Sequence, residues 1–114
     1  MCKAFKIEVN RVNEDNVRIE IAIYVVCSQY DITAEQLVAS GHTWHQADAR
    51  AMLSYILRTH CGMTLAKIGR LIHRHHSTVV CNIRKVKMWH DNPKIFAKEN
   101  LTYENIEERF INLA

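Results

Sequence analysis

The chain has 114 residues and a formal net charge of +3, which fits one domain and excludes two sizeable hydrophobic cores. Its 48% hydrophobic residues, with only three Gly and one Pro, exclude a disordered or fibrous protein. The three glycines, Gly41, Gly62 and Gly69, have neither the spacing of a phosphate-binding loop nor that of a dinucleotide-binding turn. We therefore expect no nucleotide ligand.

The charge is unevenly distributed along the chain. No Asp or Glu lies between Asp48 and Asp91, a stretch called here the basic segment (residues 49–90), whereas the rest of the chain has seven basic and twelve acidic residues. The basic segment contains Arg50, Arg58, Lys67, Arg70, Arg74, Arg84, Lys85 and Lys87. Such a cluster is typical of proteins that bind a polyanion, usually nucleic acid. A solvated cationic face without a partner is the alternative.

Neither an apolar run long enough to span a membrane nor a cleavable leader is found in the sequence. We expect a cytoplasmic protein associated with the nucleoid, without a membrane partner. Cys2, Cys27, Cys61 and Cys81 lie in core-forming stretches, so reduced thiols are favoured over a disulfide scaffold.

The N-terminal third of the chain gives mixed signals. Residues 1–13 alternate apolar and polar side chains, which indicates a short extended arm. Residues 14–29 satisfy both strand alternation and helical spacing, and the capping residues Asn13 and Asp15 favour a helix. A short helix over 33–39 is predicted from Thr33 and Gln36, which form a capping-box pattern.

Three helices are predicted in the basic segment. The first has Asp48 as its N-cap and ends near Gly62, where a left-handed residue is expected. The second is about two turns long and is capped by Thr64. After a break at residues 73–75, the third runs from His76 to Trp89.

A last helix is predicted over residues 102–113, after Pro93 prevents the preceding helix from continuing. Its apolar stripe contains Ile106, Phe110 and Leu113. The sequence thus predicts an all-α domain, with an N-terminal arm at 1–13, a main helical domain at 14–90 and a C-terminal extension at 91–114.

A short helix, a tight turn and a longer helix within an acid-free stretch predict a helix-turn-helix. In that motif the first turn of the second helix enters the major groove of DNA. On this sequence, His76, Ser77 and Thr78 lie in the leading turn of the second helix, Arg74 and His75 lie just before it, and all five side chains can hydrogen-bond DNA. An ordinary capped helix with a polar first turn is the alternative.

Three stretches of the basic segment resemble one known family. They read ARAMLSYILR at 49–58, TLAKIG at 64–69 and RHHSTV at 74–79. They are similar to an Arg-containing helix, the S-L-x-E-I-G helix and the R-D-H-T-T-V start of the recognition helix in the DNA-binding C-terminal domain of the bacterial chromosomal replication initiator, DnaA. The resemblance covers residues 17–89 and implies a small all-α fold with a helix-turn-helix of the Trp-repressor-like kind.

The resemblance implies a role for individual residues. His76 and Ser77 match base-reading positions, Thr78 matches a phosphate contact, and Arg58 falls on a basic position that contacts the DNA backbone. Backbone amides are presented to phosphate at the positions of Leu65 and Ala66. Arg50 matches an Arg in the family motif and is expected at the DNA backbone, and the alternative for it is a surface charge that contacts nothing. With the resemblance, base readout is assigned to His75, His76 and Ser77, and phosphate contacts are assigned to Arg58, Lys67, Arg70, Arg74 and Thr78.

The chain departs from the family pattern in three places. His75 replaces an Asp that accepts a hydrogen bond from cytosine, one residue is missing from the turn at His73, and the loop over residues 40–46 contains no Arg or Lys. Minor-groove contact by the loop residues His42, Trp44 and His45 is therefore in doubt. Trp44 either stacks on a partner or covers the core, and the core position is favoured.

The resemblance implies sequence-specific binding of double-stranded DNA, in replication initiation or its regulation, by a freestanding domain that lacks the ATPase and has no enzymatic activity. A transcriptional regulator of a phage or mobile element is an alternative. Another is a module that binds replication or transcription proteins through exposed Trp89 or Phe96. A metal site formed by His73, His75, His76 and Cys61 or Cys81 is disfavoured because the spacing matches no standard zinc site.

Overall fold

A computed structural model describes residues 14–40 and 43–114 of the chain. The described residues form six α-helices and contain no strand, so the expectation of an all-α domain is confirmed. The helices are α1 (Glu14–Tyr30), α2 (Ala34–Val38), α3 (Trp44–His60), α4 (Leu65–Ile72), α5 (His76–Asp91) and α6 (Ala97–Leu113). The predicted arm at residues 1–13 lies outside the described part.

Helix α3 is the centre of the fold, and α1, α2, α4 and α5 all pack on it. Its apolar side chains are fully buried on more than one face, as expected for a helix enclosed by others. These residues are Ala49, Ala51, Met52, Leu53, Ile56 and Leu57. None of the described helices is both long enough and apolar enough to cross a bilayer.

The start of α3 differs from the prediction. Asp48 was expected to be the N-cap of this helix, but the N-cap is Thr43 and the helix begins at Trp44. Thr43 and Gln46 form a capping box, in which the Thr43 hydroxyl accepts from the Gln46 amide and the Gln46 side chain accepts from the Thr43 amide. Asp48 instead pairs with Lys85 on α5 at 3.1 Å.

The other predicted ends of α2, α3 and α4 agree with the structure. Thr33 caps α2 in a capping box with Gln36, and Thr64 Oγ1 accepts a hydrogen bond from the Lys67 amide at 3.2 Å. Gly62 follows α3 with φ +64°, in the left-handed region. The C-cap of α2 is Ala39, the last residue of the predicted helix.

Helix α6 starts earlier than predicted and packs into the same core as the other helices. It begins at Ala97 instead of Thr102. Its N-cap, Phe96, makes no side-chain capping hydrogen bond, so the sequence contains no capping signal at this point. The Asn100 side-chain amide donates to the Trp89 carbonyl at 2.5 Å, and His60 Nε2 lies 2.8 Å from Glu107 Oε2. These contacts hold α6 against the ends of α5 and α3.

The apolar residues near α6 correct two further expectations. Ile106 and Phe110 are buried as predicted, but Leu113 is exposed. Trp89, expected on the surface as a protein contact, is only 5% exposed, and Phe96 packs against the core. Trp89 is therefore not available to a protein partner, and Phe96 is only partly accessible.

Candidate nucleic-acid interface

Helices α4 and α5, joined by residues 73–75, form the predicted helix-turn-helix. Ile68, Ile72 and Val79 are fully buried and fix the two helices to the core. His73 ends α4 in the left-handed conformation with φ 59°, and the Arg74 amide donates to the Gly69 carbonyl at 2.8 Å. The turn is therefore held by backbone hydrogen bonds, although His73 is a residue type for which this conformation is unfavourable.

Gly69 allows the turn to pass close to α4. A Cβ atom at this position would lie 2.6 Å from the Arg74 carbonyl oxygen, and 3.5 Å from the His76 amide nitrogen. Only a residue without a side chain fits there without movement of the backbone. The position of α5 relative to α4 thus depends on this glycine.

Arg74 is occupied within the fold. Its guanidinium donates to the carbonyls of Ala39 at 2.8 Å, His73 at 3.0 Å and Val38 at 3.3 Å. A further bond of 3.3 Å reaches the Ile72 carbonyl. Arg74, predicted to contact phosphate, ties the turn to the end of α2, and its planar fork of donors suits this geometry.

The first turn of α5 carries the predicted base-reading residues, and all of them are exposed. His75 is the N-cap of α5, and His76, Ser77 and Thr78 follow it in the first turn. The His75 and His76 rings lie against each other, with centroids 4.3 Å apart and planes inclined by 33°. The amides of Thr78 and Val79 donate to the His75 carbonyl at 2.9 Å and 3.3 Å. This turn presents imidazole and hydroxyl groups on a rigid helix end.

The predicted backbone contacts on α4 also lie on the surface. Lys67, Arg70 and Ala66 are exposed, and Leu65 is half-buried. The first amides of any helix lack an intrahelical acceptor, so those of Leu65 and Ala66 are suited to an anion. Arg58 is also exposed. It lies in the last turn of α3 and donates to the Met63 carbonyl at 2.9 Å.

Arg50 is placed differently from the expectation of a DNA-backbone contact. It is only 7% exposed, and its guanidinium donates to the Leu37 carbonyl at 2.9 Å. Burial, with the nearby Arg74 charge, lowers its pKa. A side chain enclosed in this way supports the contact between α3 and α2 and does not reach the surface.

The first turn of α3, in the stretch that was expected to be a loop, contributes an exposed aromatic side chain. Trp44 is 59% exposed, which overturns the expectation that it covers the core. Its ring contacts His45 with centroids 3.7 Å apart, and Lys98 Nζ lies 5.7 Å from the ring centroid. Lys98 was not among the predicted site residues because it is outside the basic segment. His42 lies outside the described residues.

The structure gives no support for the metal alternative. Among residues 14–40 and 43–114, no group of three or more His, Cys, Asp or Glu side chains is arranged to hold a metal ion. Among the described cysteines, Cys27 is buried, Cys61 is half-buried and Cys81 is exposed, and no disulfide joins them.

Comparison with known proteins agrees with this geometry. The family described as "Bacterial dnaA protein helix-turn-helix" matches residues 19–86, from α1 into α5. The chain is 26% identical over 91 residues to the chromosomal replication initiator protein DnaA of Oleidesulfovibrio alaskensis, covering 80% of this chain and 20% of that protein. It is 32% identical over 69 residues to the DnaA of Thermomicrobium roseum, covering 60% of this chain and 15% of that protein.

The chain therefore spans a fifth or less of the relatives it matches. The match includes the central helix α3, the turn at residues 73–75 and the exposed start of α5. On the family match and the helix-turn-helix geometry together, this chain belongs to the DnaA helix-turn-helix family.

Proposed function

We propose that this domain binds double-stranded DNA in a sequence-specific manner, with the first turn of α5 in the major groove. The observation that carries the proposal is the exposed first turn of α5, which lies within the basic segment and is held in place by a buried core. Helix-turn-helix domains read base edges with this turn of the second helix. This geometry supports binding, and we propose no catalytic activity.

The proposed contacts divide into two groups. Base edges are read by His75, His76 and Ser77, whose side chains carry hydrogen-bonding groups at the helix end. The backbone is held by Thr78, by the amides of Leu65 and Ala66, and by the exposed cations Arg58, Lys67 and Arg70. Arg50 and Arg74 act indirectly in this proposal, because their guanidinium groups position the elements that carry these contacts.

Trp44 and His45, which are exposed in the first turn of α3, form a second, weaker part of the proposed surface. An aromatic ring and an imidazole can contact the sugar-phosphate edge of a groove, but neither is a substitute for an inserted Arg or Lys. The search for the target sequence therefore starts from random duplexes and not from the sites bound by full-length DnaA proteins. The loop includes His42, and its contribution is part of the same proposal.

The experiment is a selection of binding sites from random duplexes, followed by fluorescence anisotropy at several salt concentrations. Each phosphate neutralised by Lys or Arg contributes about −0.9 to the log–log salt slope, so three cations predict a slope of about −3. His76→Ala should relax the preference at one base pair at a loss of about 1–3 kcal/mol, whereas the matched variant Lys67→Ala should weaken all sequences alike. Failure to enrich any duplex would overturn the proposal.

We further propose that the biological role lies in replication initiation or its regulation. The support is the identity of the relatives, both of which are chromosomal replication initiator proteins. A domain of this kind, bound at a shared site, would compete with a full initiator. The test is a binding competition between this domain and the purified DnaA of its host on the selected duplex. Independent binding to unrelated sites would favour a role in transcription instead.

A further inference from the structure

His75 caps the recognition helix with one specific ring nitrogen. Its backbone is extended, with φ −65° and ψ 151°, and its Nδ1 lies 3.1 Å from the Ser77 amide nitrogen. A backbone amide can only donate a hydrogen bond, so Nδ1 must be the acceptor and cannot carry a proton. In the neutral imidazole the single ring proton is then on Nε2.

Two neighbours restrict the ring to this orientation. Ser77 Oγ lies 2.9 Å from the same Nδ1. Because Nδ1 carries no proton, the Ser77 hydroxyl is the donor in this contact and Nδ1 is the acceptor. On another side the His76 ring packs at a centroid distance of 4.3 Å. A flip of the His75 ring would move Nδ1 away from Ser77 and leave the Ser77 amide without its acceptor. The His75 ring therefore keeps Nε2 directed away from the helix.

We infer that His75 presents a hydrogen-bond donor, and no acceptor, to the DNA, and so disfavours cytosine, the one base without an acceptor on its major-groove edge, and favours guanine, which has two. This inference rests on the proposed function, since it assumes that the first turn of α5 lies in the major groove. Guanine offers two acceptors on that edge, O6 and N7, whereas cytosine offers only the N4 amino donor. A ring whose outward group is Nε2–H is complementary to guanine and leaves cytosine without a partner.

The capping function provides a matched pair of variants. Asp and Asn are both good N-cap residues, so His75→Asp and His75→Asn keep an acceptor for the Ser77 amide. The Asp side chain has only acceptors, while the Asn side chain caps with its oxygen and retains an amino donor. The two variants therefore differ in what they present to DNA and share what they do for the helix.

The experiment repeats the selection from random duplexes with the wild type and both variants. We expect guanine at one position for the wild type, a change to cytosine at that position for His75→Asp, and continued preference for a purine for His75→Asn. Exchange of guanine for cytosine at that position should weaken wild-type binding about 5- to 10-fold, the range of one net hydrogen bond. Circular dichroism establishes that both variants are folded.

A second measurement tests the tautomer without DNA. Long-range proton–nitrogen correlation spectra of the free protein distinguish a ring protonated at Nε2 from one protonated at Nδ1, and we expect the Nε2 form. The Nδ1 form would overturn the inference whatever the DNA result. If the wild type selects a sequence but no position changes in His75→Asp, the inference fails and the proposed function stands. If the wild type selects no duplex at all, the proposed function itself fails.

Discussion

Gly69→Ala tests whether the close approach of α4 to the turn decides the stability of the helix-turn-helix. The added Cβ would lie 2.6 Å from the Arg74 carbonyl oxygen, so the turn must move by about 0.8 Å to reach ordinary contact at 3.4 Å. Overpacking of this kind costs about 1–3 kcal/mol, and the better helix propensity of Ala offsets up to about 1 kcal/mol of it. We expect a net loss of about 1–2 kcal/mol.

The assay is thermal and urea unfolding followed by circular dichroism. For a domain of roughly 100 residues, a loss of 1–2 kcal/mol lowers the Tm by about 5–10 °C. Because the moved backbone belongs to the turn before α5, affinity for the selected duplex should fall as well. The measurement of affinity is made well below the Tm, so that the folded fraction is not the cause.

Gly62→Ala is the matched control. Gly62 has φ +64°, so Ala is strained there by about 1 kcal/mol, but its Cβ would have no atom within 4 Å. It should lose comparable stability and keep its affinity for DNA. The reasoning is refuted if Gly69→Ala is as stable as the wild type, or if the two variants bind the selected duplex equally well.

Three further predictions concern the turn and the titratable groups of the core. His73→Gly should stabilise the domain by about 0.5–1 kcal/mol in urea unfolding, because φ 59° is unfavourable for His and accessible to Gly; a loss of stability would contradict this. Burial and the carboxylate of Glu107 raise the pKa of Tyr103 above its ordinary value of 10. The stability that the protonated Tyr103 hydroxyl contributes is therefore complete below about pH 10 and is lost as the pH rises further. Tyr103→Phe should flatten this alkaline decline in unfolding curves measured from pH 8 to 11. Burial, with the charge of Glu35, raises the pKa of Cys27 to about 11, so iodoacetamide at pH 8 should modify exposed Cys81 much faster than Cys27, as followed by mass spectrometry; equal rates would show that the Cys27 site opens readily.

The helices and their order could largely be predicted from local sequence. Capping residues and glycines act within a few positions of themselves, so Thr33, Thr64 and Gly62 marked helix ends that the structure confirms. The misplaced starts of α3 and α6 have a different origin. Asp48 is as good a capping residue by type as Thr43, so local sequence does not choose between them. In the structure Asp48 lies inside α3 and pairs with Lys85 on α5.

The sequence predicted which residues belong to the candidate site, but it did not predict which of them face solvent and which hold the fold together. The polar first turn of α5 and the acid-free stretch around it are properties of the sequence, and they were enough to indicate DNA. Burial and hydrogen-bond partners separate the cations: Arg50 and Arg74 donate to carbonyls of α2 and the residue after it, while Lys67 and Arg70 face solvent. The sequence shows the same charge at all four positions.

The sequence by itself determined that this is a helical domain with a helix-turn-helix, a concentrated positive charge and the residues of one family, because periodicity, caps and charge are written in neighbouring positions. Only the tertiary structure decided which charges are available, that Trp44 is exposed while Trp89 is buried, and which nitrogen of His75 accepts the capping hydrogen bond. The physical reason is that solvent access and hydrogen-bond direction depend on residues far apart in the chain, or on the orientation of a ring, and neither is contained in residue type.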